Sequence, residues 1–127
     1  MTVAYADTSW LIDRRARGLL LGAPGSTPDG VDAIVTSEIT QVEVGRVLRR
    51  DDATRDWTEQ VSEALAGTEL LAVTGAVIHL AAALPTRFLR SLDAIHLASA
   101  LLVTSAVVLT LDRRLADACR EFGLETT

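Results

Sequence analysis

Short apolar runs that alternate with longer helical stretches constrain this chain more than any single residue does. Residues 2–6, Ala33 to Val35, Leu70 to Val73 and Ala106 to Thr110 read as strands. Helical patterning fills the intervals. One helix is predicted from Trp10 to about Leu21, and a second runs to about Arg50 behind a cap at Thr36 or Ser37. Others cover Arg55 to Ala66 behind Thr54, Thr74 to Leu84 before Pro85, Ser91 to about Thr104, and Arg113 to Phe122. Gly123 is a natural stop, and Leu124 to Thr126 suits a short edge strand. Most of the strand-like runs are continuously apolar, as in a parallel sheet covered on both faces. The predicted class is α/β, with a central, mostly parallel sheet of four to five strands flanked by helices on both faces. A length of 127 residues fits one domain, 1–127.

Composition narrows the setting. The lone cysteine, Cys119, excludes an internal disulfide and reads as a small packed side chain. This fits a reducing compartment, so a cytoplasmic location is expected. No basic region opens the chain and Asp7 interrupts its first apolar run, so no secretory leader is read. The most apolar segment, Ala94 to Leu109, carries His96, Ser99, Thr104 and Ser105 and is too short to span a bilayer, so no membrane association is expected. The formal net charge of −5 argues against non-specific nucleic-acid binding over the whole surface. Yet all twelve basic residues are arginine, clustered at Arg14, Arg15 and Arg17; Arg46, Arg49 and Arg50; Arg87 and Arg90; and Arg113 and Arg114. Arginine suits planar, bidentate phosphate contacts, although any one cluster also suits a solvated helix face. The Gly22–Gly30 loop, rich in Gly and Pro, cannot continue a helix.

Four acids carry the chemistry. Asp7 and Asp112 each follow a strand-like run, and in open α/β sheets ligands bind outside the carboxyl ends of the strands. If their strands are neighbours, the two carboxylates meet at one rim. Asp93 falls in the first turn of its helix. Glu43 shares the helix face of Ile39 and Val47, which with Val42 is read as turned inward. Singly, each acid has a structural explanation: helix capping for Asp7 and Asp112, the helix dipole for Asp93, an arginine partner for Glu43. Together they would repel, and a divalent cation removes the conflict. Oxygen ligands suit Mg²⁺ or Mn²⁺, the equipment for phosphodiester hydrolysis. His96, three residues after Asp93, and His79 read as hydrogen-bonded core histidines. Thr8, Ser9 and Thr110 flank the rim, where they suit capping or contact with a metal-bound water or phosphate.

In four ordered segments the chain resembles a PIN-domain ribonuclease of the VapC toxin type. These are Ala6-Asp7-Thr8-Ser9; Ser37 to Val44; Leu92-Asp93-Ala94-Ile95-His96-Leu97-Ala98; and Leu109 to Leu115. The resemblance implies a PIN-like fold and Mg²⁺- or Mn²⁺-dependent cleavage of RNA. It makes Asp7, Glu43, Asp93 and Asp112 the catalytic and metal-binding set, with Asp7 and Asp93 as the most direct ligands. It also implies a homodimer and neutralisation by a VapB-like antitoxin. Where some relatives carry a further acid, two residues past Asp112, this chain has Arg114, which weighs against a tightly held second ion. Arg113 and Arg114 are left to contact RNA or to pair with the acids. Two other readings stand beside this one. The first is a catalytically inactive PIN-like module that binds RNA or protein. The second is a phosphatase on a similar sheet, weakened by Ser9 where that chemistry wants a second Asp.

Overall fold

The computed structural model describes residues 1–21, 23, 26–85, 89–105 and 107–127. Five strands form one wholly parallel sheet in the order β3-β2-β1-β4-β5: β1 (Val3–Ala6), β2 (Ala33–Ser37), β3 (Thr68–Leu71), β4 (Val107–Leu109) and β5 (Glu125–Thr126). The strand-like run expected from Ala106 is described from Val107 onward, and Ala106 lies outside the described residues. Parts of the Gly22–Gly30 loop, together with Arg87 of the basic cluster, also lie outside them.

Pleating sends alternate side chains to opposite faces. Ala4, Ala6, Ile34 and Leu109 meet α1 (Thr8–Ala16), α2 (Ile39–Asp51) and α3 (Trp57–Leu65) through Trp10, Leu11, Val44, Leu48, Val61 and Leu65. Tyr5, Val35 and Val108 meet α5 (Ser91–Leu102) and α6 (Arg113–Glu121) through Leu97, Ala100, Leu115, Ala118 and Cys119. Burial pushes the Cys119 thiol up to about 12, in keeping with its reading as packing material. The remaining helix, α4 (Gly75–Ala83), packs on α5.

Several local expectations change in the folded chain. Helix α1 ends at Ala16 rather than Leu21, because Gly18 turns the chain at φ +72° and Leu19 donates back to Arg14 O at 2.9 Å. Thr36 belongs to β2 and donates to Ala6 O at 2.7 Å instead of capping α2. Helix α3 is capped by Asp56, since Thr54 is engaged by Asp52. Ser91 is the first residue of α5, not its cap. The inward face of α2 is also out of phase with the Ile39, Val42 and Val47 reading. Thr40, Val44 and Leu48 are buried and Val42 is 63% exposed. A polar residue leads that stripe because the Thr40 hydroxyl is satisfied by Thr36 at 2.8 Å. His79 is exposed on α4, so it is not a core histidine.

Candidate active site

Strand order doubles back at β1, which pairs with β2 on one side and β4 on the other. At such a reversal, open α/β sheets bind ligands outside the carboxyl ends of the strands, here β1 and β4. The backbone N–H of Asp7 extends the ladder by donating to Leu109 O at 3.1 Å, which brings the ends of the two strands together.

Asp7 is 5% exposed and fully engaged. Its Oδ1 accepts from Ser9 Oγ at 2.7 Å and from the Trp10 N–H at 3.0 Å, so it caps α1. Its Oδ2 accepts from Thr110 Oγ1 at 2.6 Å. Both hydroxyls are also used as acceptors. Ser9 Oγ takes the Leu111 N–H at 3.0 Å, and Thr110 Oγ1 takes the Asp112 N–H at 3.0 Å. Asp112 caps α6 by accepting the Leu115 N–H on Oδ1 at 3.1 Å. Ser9 and Thr110 thus tie the two strand-end acids together. Asp7 and Asp112 are therefore helix caps, and the hydroxyl ties are a separate set of bonds that leaves both at one rim.

Glu43 reaches the rim from α2. Its Oε1 accepts from Thr8 Oγ1 at 2.8 Å and from His96 Nε2 at 2.7 Å. Burial alone would raise its carboxyl. The His96 bond and charge and the Thr8 bond outweigh that and hold it below the ordinary range. Its partner is therefore an imidazole, not the arginine that the sequence allowed. His96 is a hydrogen-bonded core histidine as read, 2% exposed, but it serves Glu43 instead of its own helix neighbour Asp93.

Asp93 is the least satisfied of the four. Half-buried in the first turn of α5, it makes no side-chain hydrogen bond or ion pair among the described residues. Burial raises its carboxyl first, and then the negative charges of Asp112, Glu43 and Asp7 raise it further, against a smaller opposing pull from His96. The four acids therefore share one electrostatic neighbourhood. Arg113 and Arg114 are exposed at the start of α6, and among the described residues no arginine bridges any of the four. Nor, among the described residues, do three carboxylate or imidazole groups stand at the spacing of a shared ion. The all-oxygen, net-negative donor set nonetheless fits a hard divalent cation in its chemistry.

Tyr5 was missed as a site residue. Its hydroxyl lies 2.6 Å from His96 Nδ1, and it sits in β1, two residues before Asp7. A lone tyrosine between two alanines of a buried strand is the available signal, since a buried phenol needs a partner.

Residues 4–121 match the family model described as PIN domain. The chain belongs to the PIN-domain family. Within it, the chain is of the VapC type. It is 37% identical over 134 residues to Ribonuclease VapC47 of Mycobacterium tuberculosis (strain CDC 1551 / Oshkosh), covering 96% of this chain and 93% of that relative. Two solved structures share the fold. VapC20 of Mycobacterium tuberculosis, described as a Sarcin-Ricin loop cleaving toxin, superposes with a TM-score of 0.68 at 17% identity, covering 91% of this chain and 94% of that one. VapBC2 from Rickettsia felis, bound to a DNA fragment from their promoter, superposes with a TM-score of 0.72 at 11% identity, covering 99% and 98%. The PIN-domain match covers all four acids, from Asp7 to Asp112.

Proposed function

We propose that this PIN-domain chain is a Mg²⁺- or Mn²⁺-dependent endoribonuclease toxin of the VapC type, neutralised by a cognate VapB-like antitoxin. One observation carries the metal dependence: Asp93 is half-buried, unbonded and repelled by three other acids, with no arginine among the described residues to relieve it. The name of its relative, Ribonuclease VapC47, supports RNA as the substrate.

Asp7, Asp93 and Asp112 are the residues that would hold the ion, with Glu43 completing the charge set. When bound, the ion polarises a phosphoryl oxygen, lowers the pKa of a water and offsets repulsion between an acidic site and an anionic substrate. Glu43 keeps Oε2 free of hydrogen bonds to described residues, so this oxygen can accept from and orient the attacking water. Thr8, Ser9 and Thr110 act by holding carboxylates, since each hydroxyl donates to one. Arg113 and Arg114, exposed beside Asp112, suit the flanking phosphates of the RNA.

Two surfaces support the expected partners. A groove of about 1010 Å³ between α2 and α3 is lined by Val42 and Trp57 with Arg46, Arg49 and Arg50. Such a groove suits an apolar antitoxin segment bearing acidic side chains. A homodimer draws on α4, which has no charged residue yet buries only Val77 and leaves Ile78 56% exposed. No helix among the described residues is long and apolar enough to cross a membrane.

The test is cleavage of an RNA oligomer by purified Asp7→Asn and Asp93→Asn with Mg²⁺ present. Both should lose cleavage and keep the wild-type circular dichroism spectrum. Wild-type rates from either folded variant would remove the assignment. The non-catalytic module draws on the spacing of the carboxylates, none of which stand as a ready ligand triad among the described residues. It predicts a melting temperature indifferent to millimolar Mn²⁺.

A further inference from the structure

Three residues in one line of hydrogen bonds, Ser37, Tyr5 and His96, have no part in the scheme above. The Ser37 N–H, at the end of β2, lies 3.2 Å from Tyr5 Oη. Tyr5 Oη lies 2.6 Å from His96 Nδ1, and His96 Nε2 lies 2.7 Å from Glu43 Oε1. Tyr5 is 0% exposed and His96 2%, so water does not compete for these bonds.

The donors can be assigned by elimination. An amide N–H only donates, so the Tyr5 oxygen accepts from Ser37 and its own proton is free to point at Nδ1. A carboxylate only accepts, so Nε2 must carry the proton that faces Glu43. The Glu43 end thus demands a proton on Nε2, and a Tyr5 proton directed at Nδ1 leaves that nitrogen bare, whereas a doubly protonated ring would turn the Tyr5 proton away. The opposite tautomer would set a nitrogen lone pair against the carboxylate.

We infer that Tyr5 and His96 are positioning residues of this site, forming a relay from the Ser37 N–H that fixes the Nε2–H imidazole and locks the Glu43 carboxylate by Oε1, so that Oε2 alone faces outward chemistry. The inference rests on the reading of Glu43 as a working residue of the metal-dependent site. It gives α5 two jobs, one residue set facing the ion (Asp93) and another, one turn on, aligning a carboxylate from α2. Thr8 donates the second bond to Oε1, so the orientation is set from two directions.

Nitrogen-15 spectra of the histidine-labelled full chain read the relay directly. The wild-type His96 ring should be a single Nε2–H tautomer, and in Tyr5→Phe, where only Glu43 still specifies it, the Nδ1 resonance should shift as its hydrogen bond is lost. His96→Gln keeps a side-chain N–H near the Nε2 position, whereas His96→Leu keeps the volume without a donor. His96→Leu should lower kcat on an RNA oligomer, and Mn²⁺ affinity by calorimetry, by about 10–100-fold with KM unchanged, as for other groups that orient a ligand carboxylate. His96→Gln should recover most of both, and His96→Leu should add nothing in a Glu43→Gln background. A wild-type ring protonated at Nδ1 overturns the relay. So does wild-type kcat and Mn²⁺ affinity in His96→Leu, or an equal fall in folded His96→Leu and His96→Gln. A wild type that neither binds Mn²⁺ nor cleaves RNA defeats the nuclease reading instead, and the tautomer then decides the relay alone.

Discussion

The two halves of the acidic rim are built on opposite principles. Asp7 and Glu43 together receive five hydrogen bonds, from Ser9, Trp10, Thr110, Thr8 and His96. Asp93 receives none among the described residues and is destabilised as an anion first by burial and then by the neighbouring acids. The first half is held by the protein whether or not an ion is present. The second half is held open at a cost, which a cation would relieve. A site made only of satisfied carboxylates would have little to gain from a metal, and one made only of repelling carboxylates would strain the fold.

The sharpest way to break this comparison is to remove one carboxylate from each half. Asp7→Ala leaves Ser9, Thr110 and the Trp10 N–H without their acceptor and removes a helix cap. The expected loss is about 2–4 kcal/mol, or roughly 8–16 °C in melting temperature. An unchanged melt would mean that those bonds contribute nothing net. The next effect is the response to Mn²⁺. At about 100 times its Kd, a native-state ligand should add about 2.7 kcal/mol of stability to wild type, and Asp93→Asn should abolish the shift. Equal shifts in both would take Asp93 out of the metal site. Thr110→Val, which strips one bond from Asp7 and the acceptor of the Asp112 N–H, should cost about 1–2 kcal/mol in a denaturant melt.

The smallest effect is read by its sign. The raised Asp93 carboxyl means that the folded state holds this proton more tightly than the unfolded chain. Stability therefore falls as pH climbs from the ordinary value of 3.8 through the raised one. Asp93→Asn should gain stability at neutral pH without metal and gain nothing below pH 3.8. The lowered Glu43 carboxyl works the other way. Its contribution is present above 4.5 and is lost as pH falls through the lowered value. Glu43→Gln should therefore lose stability at neutral pH. Matching signs in the two variants would erase the distinction between the halves.

A similar contrast separates α4 from α5. Both are apolar in sequence, yet α5 buries six residues and α4 only one. Hydropathy reports that a helix wants cover without saying whether this chain supplies it. The phase of α2 was misread for a related reason. Val42 reads as core and is exposed, while Thr40 is buried, because the Thr36 hydroxyl across the packing plane satisfies it. Polar pairing between elements distant in sequence leaves no periodic trace. The same limit concealed the partner of His96. His96 reads from its helix as a hydrogen-bonded core histidine, but the bond itself runs across to Glu43 on α2.

What the chain carries openly is the alternation of apolar strands and helices, the class of sheet this demands, and acids at the strand ends. Those features are local, and the physics behind them acts over a few residues: pleat, helical turn and cap. The order of the strands, the adjacency of β1 and β4, and the bond that each carboxylate makes were decided only when the sheet closed. Pairing between residues 30 to 100 positions apart depends on which faces meet in space, and no stretch of sequence encodes that alone.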